Sequence, residues 1–162
     1  MPQAWDTTTA ARLRPDSPEL EYVTSRWQLG DPVAFTASTL SEISFGLLKA
    51  GRPAADAQMR WLKDQIAAGL IDVLPFEYRA ADIAGALRAR IPTPPPAPKR
   101  SKGRSKAEGR VAWMMDLQTS ATVFVHGYDL LSADAHHSLI ATTLGVLAPT
   151  APALLIETPP QF

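Results

Sequence analysis

Short β-prone runs alternate with helix-like segments along this chain, and the alternation constrains its fold more than any other sequence feature. Strands are predicted at residues 2–5, 33–37, 71–74, 128–133 and 154–156. Helices are predicted at residues 40–48, 54–68, 79–90, 111–125 and 136–147, and glycines follow three of them, namely Gly51, Gly69 and Gly127. Strands that alternate with helices favour a parallel sheet covered on both faces, whose ligands gather at the carboxyl ends of the strands.

The composition sets bounds on the function without pointing to one. A length of 162 residues with 46% hydrophobic side chains suits a single domain with one core. Lysine plus arginine total 16 and aspartate plus glutamate total 16, so the net charge of zero does not by itself indicate nucleic acid or membrane as a partner. The absence of cysteine excludes disulfides and thiolate metal sites. No signal peptide or membrane-spanning run is visible, which predicts a cytoplasmic protein.

Four acidic residues are predicted to meet at one edge of the sheet. Asp6 and Asp134 directly follow predicted strands, and Glu42 lies in the first turn after another. Asp116 lies in the first half of helix 111–125, whose start faces the same edge if the sheet is parallel. Clustered carboxylates repel each other unless a cation compensates their charge. Mg²⁺ or Mn²⁺ bound there can activate water and stabilise a phosphodiester, so the set predicts hydrolysis of a nucleic-acid backbone.

Each acid also has a purely structural interpretation. The segment from Thr39 to Glu42 matches a capping box, in which the glutamate accepts a backbone N–H at the helix start. Asp116 can be a polar position on an apolar helix, stabilised by the helix dipole. Asp6 and Asp134 can be turn or N-cap residues, since aspartate is common in both places. Only the set of four argues for a site.

The segments around these acids resemble a known family. Residues 34–46, with Glu42, resemble the second-acid segment of PIN-domain toxins, and Trp5-Asp6-Thr7-Thr8 is similar to their Asp-Thr-Asn or Asp-Thr-Ser start. Residues 116–122 resemble the helix that the third acid opens, and residues 128–134 resemble the Leu-Leu-Thr-x-Asp segment that ends in the fourth. From about residue 5 to residue 156, the chain therefore resembles the PIN-domain ribonuclease toxins of type II toxin–antitoxin systems, the VapC-like family.

The resemblance implies a fold, a chemistry and partners. It implies a three-layer α/β/α sandwich with a central, mainly parallel sheet, and endonucleolytic cleavage of RNA. Mg²⁺, or Mn²⁺, would be held by the four acids, Asp6, Glu42, Asp116 and Asp134. Thr7 and Ser132 are expected to position water or phosphate. The implied protein partners are a small cognate antitoxin, which inserts a segment near the acids, and a second copy of the chain in a homodimer.

A proline-rich and basic stretch at residues 92–110 is predicted to be an exposed loop. Its six cations are candidates for phosphate contacts with RNA, and contact with the antitoxin or no role at all is equally open. They are Lys99, Arg100, Lys102, Arg104, Lys106 and Arg110. His136 and His137 stand where the family usually has Asp-Phe. Adjacent helical residues point in different directions, so these two are expected at the surface or at a helix start.

Two other interpretations of the chain also agree with its sequence. One is a catalytically inactive PIN-like module that binds RNA or a protein and regulates it. The other is an α/β domain whose acids only cap helices and turns. Fold alone does not choose between them.

Overall fold

Five strands and seven helices make up the part of the chain that the computed structural model describes, residues 2–96 and 106–161. The strands are β1 (Gln3–Trp5), β2 (Val33–Thr36), β3 (Ile71–Leu74), β4 (Asp129–Leu131) and β5 (Ile156–Glu157). The helices are α1 (Thr7–Ala10), α2 (Pro18–Gln28), α3 (Ala37–Ala50), α4 (Pro53–Ala67), α5 (Tyr78–Arg90), α6 (Lys106–His126) and α7 (His136–Leu147). None of these helices is both long and apolar enough to cross a membrane.

The strands form one sheet in the order β3-β2-β1-β4-β5, and every pair in it is parallel. In the centre, Ala4 of β1 is in register with Ala34 of β2 and with Leu130 of β4. Parallel pairing confirms the prediction from the alternating pattern. The carboxyl ends of the three central strands therefore lie side by side, at one edge of the sheet.

Alternate strand residues supply two hydrophobic cores, one on each face of the sheet. Ala4 and Leu130 face a core that also includes side chains of α5, α6 and α7. Trp5 and Leu131, the next residue of each strand, face a second core that includes side chains from the segment of α1 to α4. The predicted three-layer α/β/α sandwich is confirmed.

Helix α6 packs on the first of these faces and begins earlier than predicted. Its first described residue is Lys106, so residues 106–110 are helical and not part of the expected loop. Asp116 consequently lies in the middle of a 21-residue helix, not near its start. Ala4 of β1 and Ala34 of β2 are both fully buried and share this core with Leu117 of α6. Their single methyl groups leave room for the helix close to the sheet.

The start of α3 is fixed by threonine hydroxyls rather than by a glutamate. Thr36 is the N-cap, and its Oγ1 accepts the Thr39 N–H at 3.0 Å. Thr36 Oγ1 also lies 3.2 Å from Thr119 Oγ1 of α6. This contact links the start of α3, on one face of the sheet, to α6 on the other face. Because the helix begins at Ala37, Glu42 belongs to its second turn. The capping-box interpretation of Glu42 is therefore wrong.

Replacing Thr36 with valine should lower the free energy of unfolding by about 1–3 kcal/mol, because it removes an N-cap and leaves the buried Thr119 hydroxyl without this partner. Urea unfolding of the variant checks this. Thr142→Val is the matched control, since its hydroxyl bonds to Ser138 O on the exposed face of α7. Equal losses in the two variants would contradict a special role for Thr36.

Candidate functional site

The three central strands end at Trp5, Thr36 and Leu131, and the predicted acids follow these ends. Asp6 comes directly after β1, and its backbone N–H donates to Leu131 O of the neighbouring strand at 3.1 Å. Ser132 and Asp134 follow β4 in the loop before α7. The strand ends therefore bring Asp6 and Asp134 to the same edge, as the sequence predicts.

Asp6 is a buried carboxylate, with 4% of the residue exposed. Its Oδ1 accepts the Thr9 N–H at 2.7 Å, so that it caps the short helix α1. Its Oδ2 accepts a hydrogen bond from the Ser132 hydroxyl. Across residues 2–96 and 106–161, Asp6 has no ion pair with a lysine or arginine. The carboxylate thus has hydrogen-bond donors but no cationic partner in the described structure.

Ser132 connects the first and fourth acids. Its hydroxyl donates to Asp6 and accepts the Asp134 N–H at 3.0 Å. Asp134 Oδ1 in turn accepts the backbone N–H of His136 at 2.9 Å and lies 3.3 Å from His136 Nδ1. Asp134 therefore also has the turn role that the structural interpretation gave it. One serine thereby sets the relative position of two acids that are 128 residues apart in the sequence.

Glu42 reaches the same edge through Thr7. The Thr7 hydroxyl donates to Glu42 Oε2, and Thr7 is the residue next to Asp6. The resemblance predicts that Thr7 and Ser132 position water or phosphate. In the described structure the hydroxyls of both residues are bonded to carboxylates, so they position the acids themselves.

Asp116 lies between two contacts that α6 makes with the start of α7. The Trp113 ring meets the His136 ring edge-on, with centroids 6.1 Å apart, and Ser120 Oγ lies 2.9 Å from His137 Nδ1. Asp116 is three residues after Trp113 and four before Ser120, so all three share one face of the helix. This places the third acid beside the segment that follows Asp134.

Hydrogen bonds hold Asp6, Asp134 and Glu42 at this edge, and Asp116 lies on the face of α6 that meets the start of α7, but the four acids do not enclose an ion by themselves. Among the described residues, no three histidine, aspartate or glutamate side chains converge closely enough to hold a metal. Hydrogen bonds link Asp6 to Asp134 through Ser132, and Glu42 to the same edge through Thr7. Mg²⁺ usually keeps several water ligands and needs only one or two carboxylates. The oxygen donors present match that requirement in their chemistry.

His137 is a feature of this edge that the sequence analysis missed. It stands in the first turn of α7, which is one of the two places expected for it, and only 2% of the residue is exposed. Burial lowers the pKa of its imidazole, and this effect outweighs the opposite influence of Asp6 and Asp134. The helical spacing indicates that His137 is buried, since it precedes Ile140 and Leu144, which are both buried, by three and seven residues.

The basic residues predicted to contact RNA are only partly described. Lys99, Arg100, Lys102 and Arg104 lie outside the described residues. Lys106 and Arg110 belong to α6, which corrects their assignment to a loop. Arg110 lines a small cavity of about 60 Å³ together with Arg88 and Trp113.

An open groove begins beside the acids and runs between α1, α3 and α4. The groove has a volume of about 210 Å³, and Thr7 and Glu42 are among the residues that line it. Arg14 and Gln58 are its other polar lining residues. The remaining walls are aliphatic or glycine, formed by Ala10, Ala11, Leu13, Ile43, Gly46, Leu47 and Leu62. The groove combines an apolar surface with a carboxylate.

Comparison with known proteins identifies the fold. A chain of VapBC2 from Rickettsia felis, solved with a DNA fragment from its promoter, matches with a TM-score of 0.62 at 13% identity, covering 99% of this chain and 100% of that chain. A chain of DNA-bound VapBC from Salmonella typhimurium gives 0.61 at 16% identity, with 98% of both chains covered. A chain of FitAcB from Neisseria gonorrhoeae gives 0.57 at 16% identity, with 96% of both covered.

These likenesses confirm the PIN-like fold that the sequence predicts. No family model and no curated protein matches the chain in sequence. At this level of identity the solved structures establish the architecture alone, because one fold can host different chemistries.

The buried imidazole should make stability depend on pH. Because burial lowers the pKa of His137 below its ordinary 6.5, the unfolded chain takes up a proton more readily than the folded one. The contribution of His137 is complete above the ordinary pKa and is lost as the pH falls below it. Urea unfolding in EDTA at about pH 7.5 and about pH 5.5 should show a smaller loss for His137→Asn than for the unaltered chain.

The matched control is His126→Asn, at the far end of α6, where the side chain is partly exposed. This variant should keep the loss of stability on acidification. An undiminished loss in His137→Asn would show that other groups cause the pH dependence.

Proposed function

We propose that this chain is a Mg²⁺- or Mn²⁺-dependent endoribonuclease and the toxin component of a toxin–antitoxin pair. The observation that carries the proposal is the buried carboxylate of Asp6, which has no lysine or arginine ion pair in the described structure. Burying a charge is costly unless a counter-charge or a metal compensates it. A divalent cation at the carboxyl edge would supply that compensation.

Asp6 and Asp134 would hold the ion first, because Ser132 already joins them. Glu42 and Asp116 would complete the set. When bound, the ion would lower the pKa of the attacking water and neutralise charge on the phosphodiester. Ser132 and Thr7 keep the carboxylates of Asp6 and Glu42 in place through their hydrogen bonds, so little reorganisation is needed when the substrate arrives.

RNA is proposed as the substrate from the resemblance of the acid segments to PIN-domain toxins. The cations of residues 99–110 support a nucleic-acid partner, because each lysine or arginine that contacts a phosphate releases counterions. Such contacts give affinity without sequence preference. We therefore expect the choice of cleavage site to depend on the shape of the RNA near the acids.

The groove beside Glu42 is the proposed site of the small antitoxin. Its walls suit the apolar face of a short helix or an extended segment. A lysine or arginine of the partner would lie opposite Glu42 and Thr7, and would thereby occupy the acid edge. The solved structures of similar fold, VapBC2, VapBC and FitAcB, are of toxin–antitoxin complexes, which agrees with a protein partner. We also propose that two copies of the chain form a homodimer. Light scattering, which measures the molar mass in solution, tests this.

The second candidate is a catalytically inactive PIN-like module that binds RNA or a protein. The observation that favours it is that no three acids converge in the described structure. RNA binding by such a module would survive EDTA and depend on the basic residues 99–110. Loss of binding on chelation would argue against it.

Cleavage of a mixed pool of transfer and ribosomal RNA tests the enzyme directly. The unaltered chain should give discrete fragments with Mg²⁺ or Mn²⁺ and none with EDTA. Asp116→Asn and Glu42→Gln should each reduce the rate by about 100-fold or more, as when a group that stabilises transition-state charge is removed. Asp82→Asn, on the exposed face of α5, is the matched control and should cleave normally. Unchanged cleavage by either edge variant would remove that acid from the proposed site.

Partner binding is tested separately with a pair of variants. Leu47 lines the groove, whereas its neighbour Leu48 is 70% exposed and does not line it. Leu47→Gln should weaken capture of the proposed antitoxin by about 10-fold or more, the loss expected on placing a polar amide in an apolar contact. Leu48→Gln should capture it normally. Equal capture by the two variants would exclude the groove as the antitoxin site.

A further inference from the structure

His137 is a buried polar side chain at a position where the helix pattern calls for an apolar one. It lies on the same face of α7 as Ile140 and Leu144, which belong to the core between α5, α6, α7 and the sheet. Burying an imidazole without a partner costs free energy that a leucine would not. The residue therefore needs an explanation beyond packing.

Its partner is Ser120, which is fully buried in the middle of α6. Ser120 Oγ and His137 Nδ1 are 2.9 Å apart, so the two form a polar bridge between helices inside an apolar core. His136 makes a second contact with α6, through the edge of the Trp113 ring. Ser120 and Trp113 are seven residues apart, or about 10 Å along the helix. The start of α7 is thus held against α6 at two points, with Asp116 between them.

The same start of α7 also holds Asp134. The His137 backbone N–H donates to Asp134 O at 3.2 Å, and the His136 N–H donates to Asp134 Oδ1 at 2.9 Å. The first turn of α7 is therefore bonded to both the main chain and the carboxylate of this acid. Movement of that turn relative to α6 would change the distance between Asp134 and Asp116.

We propose that His137 and Ser120 are positioning residues for the metal site, and that their hydrogen bond fixes Asp134 relative to Asp116 across the junction of α6 and α7. The inference rests on the proposed function, because it assumes that these acids bind Mg²⁺ or Mn²⁺. Residues that orient metal ligands typically change metal affinity by about 10- to 100-fold when they are altered. We expect a change of about 10-fold here.

The experiment measures the Kd for Mn²⁺ by titration calorimetry on the full chain. Ser120→Ala removes one oxygen, and His137→Phe keeps a ring but removes the hydrogen bond. Both should weaken Mn²⁺ binding by about 10-fold. His137→Asn should restore much of the affinity, because the amide of asparagine can occupy the place of Nδ1 and bond to Ser120.

Tyr22→Phe is the matched control. It also removes one oxygen and a hydrogen bond, from Tyr22 OH to Gln3 Oε1 at 2.7 Å, but Gln3 begins β1 and lies at the opposite edge of the sheet. Urea unfolding in EDTA compares the loss of stability in all variants. A purely structural role would weaken Mn²⁺ binding alike in Ser120→Ala and Tyr22→Phe, in proportion to stability.

The outcomes separate the two proposals. Mn²⁺ binding that is ten-fold weaker in Ser120→Ala, with Tyr22→Phe unchanged, supports the positioning role. Unaltered affinity in Ser120→Ala and in His137→Phe overturns that role and leaves the metal site standing. Failure of the unaltered chain to bind Mn²⁺ overturns the metal site and the positioning role together. If His137→Phe does not fold, Ser120→Ala still decides the question, because it only shortens a side chain.

Discussion

The rest of this edge depends on the hydrogen bond from Ser132 to the carboxylate of Asp6. It joins the ends of β1 and β4, which are in register at Trp5 and Leu131. Parallel pairing of the central strands makes this contact possible, because residues directly after two neighbouring strands meet without a turn between them. Once Asp6 is buried there, each of its oxygens needs a donor, and α1 and the β4 loop supply them. The carboxyl edge of the sheet is therefore polar, although the two faces of the sheet are covered by apolar cores.

Much of the fold could be predicted because strands and helices alternate with clear periods. The strand at residues 71–74 and the helix at 136–147 have the predicted bounds. The final strand was shifted, since the structure has it at Ile156–Glu157, and only two residues there pair with β4. Helix α2 was missed because its composition is mostly polar, although Ser17 and Pro18 form a typical helix start.

The candidate site could be predicted as a set of acids but not as a set of contacts. The positions of Asp6, Glu42 and Asp134 relative to strands follow from local sequence and parallel topology. The hydrogen bonds that orient them join residues far apart, such as Thr7 to Glu42 and Ser132 to Asp6. Each of these hydrogen bonds depends on side-chain rotamers and on the distance between two secondary-structure elements. No local sequence pattern encodes either of them. Glu42 illustrates the difficulty, since a local capping pattern gave the wrong helix start.

Two small buried side chains in the central strands set how closely α6 can approach the sheet. Ala4 and Ala34 are in register in the two central strands and lie in the same core as α6. A larger residue at either position would lift the helix from the sheet, and Asp116 would move with it while the strand-end acids stayed in place. Sequence drift at two buried alanines can therefore adjust the spacing of the acids, and with it the size of cation that the proposed site would accept, without replacing any of them.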